Sequence, residues 1–174
     1  MGGACEKSQI RLEARNENLA CDAELPLEPV LSPKLFCAIE LTGPTVGKGR
    51  PRFTRTKSGR PLVYTPAETR SYERDLAWAA KLAMGARDPS RLPVALSLEA
   101  YLEIPSSWSR AKREAALTGT LLPTCKPDAD NLLKIAADAL RGIVLADDAS
   151  VVDATVSKRY SEDPRIRIEV REFG

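Results

Sequence analysis

Residues 126–153 read KPDADNLLKIAADALRGIVLADDASVVD, and the fold turns on how they divide. Pro127 fixes its own backbone angle and biases Lys126 toward an extended conformation. If Asp128 to Asp130 is still extended, residues two apart point the same way, and the two carboxylates share one face. Asp130 then stands at an N-cap position and a helix starts at Asn131. Leu132, Ala136, Ala139, Leu140 and Ile143 fall at i, i+4, i+7, i+8 and i+11, the buried stripe of an amphipathic helix. Asp130, Lys134 and Asp138 step by four along a different face. A second acidic pair, Asp147 and Asp148, follows at a turn one helix length later.

Carboxylates gathered this way have two readings. Asp is a favoured N-cap, worth about 1 kcal/mol, and a lysine flanked at −4 and +4 by aspartates is an ordinary surface ion-pair ladder. One carboxylate suffices to cap, however, and a second so close repels it unless a cation offsets the charge. A helix followed by a short turn returns the chain toward the sheet, not to the helix start. Bringing Asp147 and Asp148 to Asp128 and Asp130 therefore needs the loop or a dimer partner. If the carboxylates converge, Mg²⁺ is the natural ion, being hard, octahedral and oxygen-liganded. Lys134 could then offset charge growing on an attacked phosphate.

Elements on either side give the architecture. Leu35–Leu41 is a first strand, stopped by Thr42, Gly43 and Pro44. Glycine and proline then break residues 43–61 into a loop or loose hairpin, with a short returning strand at Pro61–Tyr64. Thr65, Pro66 and Glu68 form a capping box for a helix to about Gly85, with Tyr72, Leu76, Ala79, Ala80 and Ala83 as its apolar face. Val94–Leu102 is a half-buried strand, and a short basic helix spans Arg110–Leu117. Val151–Ser157 and Arg165–Arg171 alternate well enough to form an antiparallel pair around Glu162, Asp163 and Pro164. This order indicates an α+β fold, a single domain built on a mixed sheet with helices packed on one face. Residues 1–33, closed by the proline run Pro26, Pro29 and Pro33, read as a flexible N-terminal extension, leaving 34–174 as the domain.

Composition removes much chemistry. With no histidine among 174 residues, Ser-His-Asp and Cys-His catalysis and His-ligated zinc are excluded. Cys5, Cys21, Cys37 and Cys125 are scattered without a Cys-x-x-Cys pair, as in a cytosolic protein with reduced thiols. No apolar run approaches a membrane span, and no signal region is visible, so a cytoplasmic location is expected. Between Gly43 and Tyr64 stand six bases, Lys48, Arg50, Arg52, Arg55, Lys57 and Arg60, and no acid. The net charge of +2 becomes −4 once those six are set aside. Such an arm on an acidic body is an electrostatic footprint for a polyanion, with Phe53 lying between the bases. Trp108, Tyr64 and Tyr72 read as packing residues.

The ordered set resembles the RusA family of Holliday-junction resolvases, common in phages and prophages. It comprises the basic segment at 50–54, Tyr64-Thr65-Pro66, the run from Pro105 to Ser109, Lys126 to Lys134, Asp138-Ala139-Leu140, Asp147-Asp148 and Lys158. The resemblance spans about Phe36 to Val170. It implies a homodimeric, Mg²⁺-dependent endonuclease that cuts four-way DNA junctions by paired nicks. Its catalytic groups match Asp128, Asp130, Lys134 and Asp148, with Asp147 as the alternative ligand in the acidic pair. Lys48, Arg50, Arg52, Arg55, Lys57, Lys126 and Lys158 would face DNA. The alternative is a catalytically silent branched-DNA-binding module of the same fold; the presence of all four catalytic groups argues against it. Phosphatases that use Asp-x-Asp place it directly after an apolar parallel strand, which Thr124-Cys125-Lys126-Pro127 is not.

Overall fold

The computed structural model describes residues 32–50, 52–55 and 58–174, the Arg52 side chain excepted. The extension expected at the N-terminus falls outside the described residues apart from Ser32 and Pro33, and so does Lys57. In chain order the elements are β1 (Lys34–Thr42), β2 (Arg52–Arg55), β3 (Pro61–Tyr64), α1 (Ala67–Met84), β4 (Val94–Glu103), α2 (Arg110–Leu117) and α3 (Ala129–Leu140). A 3-10 turn at Asp148–Ser150 then leads into β5 (Val151–Ser161) and β6 (Arg165–Glu172).

Four strands form one mixed sheet in the order β1-β6-β4-β5, while β2 and β3 make a separate two-stranded hairpin. Alternation assigns the faces. Leu96, Leu98, Ala100 and Leu102 of β4 and Ile166, Ile168 and Val170 of β6 are buried. Ser97, Glu99, Tyr101, Arg165, Arg167 and Glu169, their intervening neighbours, stay at least partly open. Tyr72, Leu76, Ala80 and Met84 of α1 and Leu132, Ile135, Ala136, Ala139 and Leu140 of α3 pack into the same core as the buried strand residues. A mixed sheet with its helices on one face is therefore what the chain builds. No helix among the described residues is long and apolar enough to cross a membrane.

Three local expectations are corrected. First, β5 and β6 do not pair. β4 lies between them, antiparallel to β6 and parallel to β5. Two parallel strands need a long crossover, and residues 104–150, carrying α2 and α3, supply it. Second, α1 begins at Ala67 with Pro66 at the cap position and no side-chain cap bond, so the Thr65 capping box does not form. Third, α3 starts two residues early. Asp128, not Asp130, occupies its cap position, and Asp130 lies in the first turn.

The direction of α3 positions the acidic groups. Lys158, late in β5, donates from Nζ to the Cys125 carbonyl at 2.7 Å and the Pro127 carbonyl at 3.1 Å. The start of α3 thus lies beside the end of β5, and the helix runs back along the strand. Twelve residues of helix span about 18 Å. Asp128 and Asp148 consequently sit at opposite ends of α3.

Candidate active site

The site is built around the start of α3. Residues 45–50 lie across it. The Lys48 backbone N–H donates to the Asn131 carbonyl at 2.9 Å. Gly47 passes so close that a Cβ there would stand 2.8 Å from Pro127 Cβ and 3.2 Å from Asn131 Cβ. A Cβ on Gly49 would meet Thr69 Oγ1 at 2.7 Å. Only a chain without side chains at 47 and 49 can pass here, which is why glycines flank the lysine.

Lys48 fastens the loop at its other end. Its ammonium pairs with Asp138 Oδ2 at 2.6 Å and with Glu73. Partial burial opposes the Lys48 charge, but the hydrogen bonds to Asp138 and Glu73 outweigh it and lift its pKa above the ordinary lysine value. Sequence reasoning placed Lys48 on DNA; its charge is taken up between α1 and α3. Below this clamp, Tyr72 presents its buried hydroxyl to Thr45 and the Val46 backbone without hydrogen-bond geometry. Burial pushes that phenol up to about 12.

Because Asp138 is held by Lys48, the ladder of Asp130, Lys134 and Asp138 does not form. Lys134 is exposed and makes no ion pair or hydrogen bond among the described residues. Neither does the Asp128 side chain cap α3. With Ala129 and Asp130 already helical, the expected extended-chain sharing of one face between Asp128 and Asp130 lapses. Asp130 instead shares a face with Lys134, one turn on. Asp128 borders a cleft of about 590 Å³ lined also by Thr45, Val46, Arg50, Glu68, Lys126 and Asn131.

The second acidic pair stands apart. Asp147 Oδ1 accepts from the Ala149 N–H at 3.4 Å, capping the 3-10 turn. Hydrogen bonding with Asp148, then with the Ala149 N–H, holds the Asp147 carboxyl below its usual range. Among the described residues, no group of three or more carboxylates or thiols lies close enough to hold a metal ion. One chain therefore places Asp128, Asp130 and Lys134 in the first turns of α3, the last two on one face, and leaves Asp148 beyond the far end of the helix.

The other candidates divide. Arg50, Lys126 and Arg55 are exposed, the first two at the cleft. Lys158 ties β5 to the start of the acidic segment, as described. Trp108 anchors an edge as expected, packing edge-to-face on Tyr160 at 5.1 Å with the Lys112 ammonium 4.0 Å over its ring. Tyr64 departs from its packing assignment: it is 38% exposed on the hairpin, where Phe53 is 81% exposed. Sequence reasoning missed Thr45, Glu68 and Asn131 as cleft residues. A signal existed for Asn131, which directly follows the Asp-x-Asp pair, and for the clamp, in the glycines on either side of Lys48.

Residues 42–171, most of the chain, match the family described as Endodeoxyribonuclease RusA. The protein named Uncharacterized protein YqaN from Bacillus subtilis (strain 168) is 36% identical over 137 residues, covering 76% of this chain and 93% of that relative.

Proposed function

This chain belongs to the RusA endodeoxyribonuclease family, and on that premise we propose that it is a Mg²⁺-dependent homodimer that resolves four-way DNA junctions by paired nicks. One observation carries the reading. Asp128 and Asp130 stand exposed at a helix start without serving as side-chain caps, and an unpaired Lys134 lies one turn beyond. Capping was the competing use for those carboxylates, and it is not taken up.

The donor set suits Mg²⁺, which is commonly held by one or two carboxylates, with water and substrate phosphate completing the octahedron. Asp128 and Asp130 would hold the ion, which when bound polarises the phosphodiester and lowers the pKa of a coordinated water. Lys134 would offset the charge that gathers on the phosphate oxygens during attack. Arg50 and Lys126 would grip the phosphates beside the cut, and Arg55 those further along the backbone.

A second copy would supply the missing acid. β5 is an edge strand, exposed over Val152–Thr155 and paired only to β4 among the described residues. Antiparallel pairing with another β5 about Val156 would set Asp153 opposite Arg159 twice, opposite charges directly across from each other. It would also carry Asp148 of one copy to the end of the sheet where the other copy's α3 begins. A two-fold dimer matches the symmetry of paired nicks.

Asp130→Asn should abolish cutting of a synthetic four-way junction in Mg²⁺ while binding survives; undiminished cutting would refute the metal role. Linear duplex cut as readily as the junction would remove the resolvase assignment and leave a nuclease. Mixing Asp130→Asn with Asp148→Asn protein tests the second copy. A shared site regenerates one intact centre per heterodimer and restores single nicks. A mixture as inactive as its parts would place each site within one chain.

A further inference from the structure

The cleft beside Asp128 includes surfaces, Val46 and Pro127, that holding a metal or a backbone phosphate does not call for. Four of its charged groups, Arg50, Lys126, Glu68 and Asp128, are exposed, whereas residues 45–49, Pro127 and Asn131 are half-buried, and the one charge among these, on Lys48, is taken up by Asp138 and Glu73. The backbone N–H of Lys48 is already given to Asn131, and two carboxylates border the opening. With the Thr45 hydroxyl given to the Arg165 carbonyl and Lys48 paired, the half-buried side chains left over are two apolar surfaces, Val46 and Pro127, and one amide. The Asn131 side chain makes no hydrogen bond among the described residues. Its volume of about 590 Å³ falls in the range of clefts that take small molecules. The walls are fixed in advance by the Lys48 clamp and the two glycine approaches.

We propose that this cleft is a nucleobase pocket: it receives an unpaired base next to the phosphate to be cut, and Asn131 reads that base's hydrogen-bonding edge. The proposal rests on the nuclease reading above and adds to it the origin of sequence preference. A base drawn from the stack is commonly held between apolar surfaces and read by hydrogen bonds to its edge, and an asparagine amide presents a donor and an acceptor side by side. Arg50 and Lys126 at the opening would hold the phosphates on either side. A branch point supplies the unpaired base at low cost, because stacking is already interrupted there.

Two measurements test it. Four-way junctions differing only in the nucleotide beside the branch are cut and mapped. The wild-type protein should favour one or two bases by about tenfold, the size of one paired base contact, and Asn131→Ala should bring the four yields close to equal. Its backbone carbonyl, which receives the Lys48 N–H, is unaffected by that change. Separately, 2-aminopurine at the same position should brighten several-fold when the junction binds Asp130→Asn protein, as the base leaves the stack. Equal yields for the wild-type protein, an unaltered preference in Asn131→Ala, or no brightening would overturn the pocket while the nuclease reading stands. Failure of the wild-type protein to cut any junction would remove both.

Discussion

The basic segment comes in two halves that behave oppositely. Residues 45–50 are pressed onto the molecule: Thr45 Oγ1 donates to the Arg165 carbonyl at 3.4 Å, Lys48 is bonded at both its backbone and its ammonium, and two glycines pass against α1 and α3. Residues 52–55 and 61–64 pair in a sheet of their own, with Phe53, Leu62, Val63 and Tyr64 all exposed. In the sequence both halves carry the same label, lysine and arginine among glycine and proline without an acid. The difference shows that a charge run does not reveal what its charges meet. In the first half a cation neutralises the protein's own carboxylates; in the second Arg55 and an aromatic ring, Phe53, stand exposed.

The strongest way to break the comparison is to add bulk to the clamped half. Gly47→Ala should force Pro127 or the loop to shift, lowering stability by about 1–3 kcal/mol in urea unfolding. It should reduce junction cutting about tenfold or more through displacement of Asp128, while the hairpin still binds DNA. Lys48→Met should come next. It leaves Asp138 and Glu73 facing each other and should cost about 1–2 kcal/mol, between the values for exposed and buried pairs. The slope of DNA affinity against salt should not change. A pH series adds a check on sign. Because the folded pKa of Lys48 lies above 10.5, the clamp's contribution is fully present below 10.5 and is lost as pH rises through the higher folded value. The stability gap between wild type and Lys48→Met should therefore hold through neutral pH and close only in strong alkali. Smallest in stability is Arg55→Ala, with unfolding unchanged within about 0.5 kcal/mol. The salt slope should fall by about one phosphate's worth. If Arg55→Ala destabilised the fold and Lys48→Met flattened the slope, the two halves would have to exchange roles.

Much of the fold was legible because it rests on local periodicity. The stripe from Leu132 to Leu140 and the alternation in β1, β4 and β6 each follow from a repeat within one element. Ile135 escaped the stripe because α3 is packed from several sides, by α1, β5 and the sheet, so its buried face is wider than one row. The pairing of β5 was not legible. Glu162, Asp163 and Pro164 read as a hairpin turn, and nothing local says that β4 will lie between strands joined so closely. At the site, Asp128, Asp130 and Lys134 could be found because they lie within seven residues. For the Lys48 clamp the flanking glycines mark a close approach but not its partners, which come from distant α1 and α3 and are brought together only by the finished packing.

The place of β6 has a consequence for assembly. Of the four strands in the main sheet it is synthesised last, yet it lies between β1 and β4 and pairs with both. Until it emerges, β1 has no strand to pair with, and β4 has only β5. The emerging chain can thus complete the β4–β5 half before the sheet exists as a whole. Only with β6 in place are β1 and β4 joined in one sheet, through pairings with β1 that span more than 120 residues of chain. A chain halted before residue 165 would carry every acidic group proposed for cutting DNA and still lack the strand that holds the halves of the enzyme together.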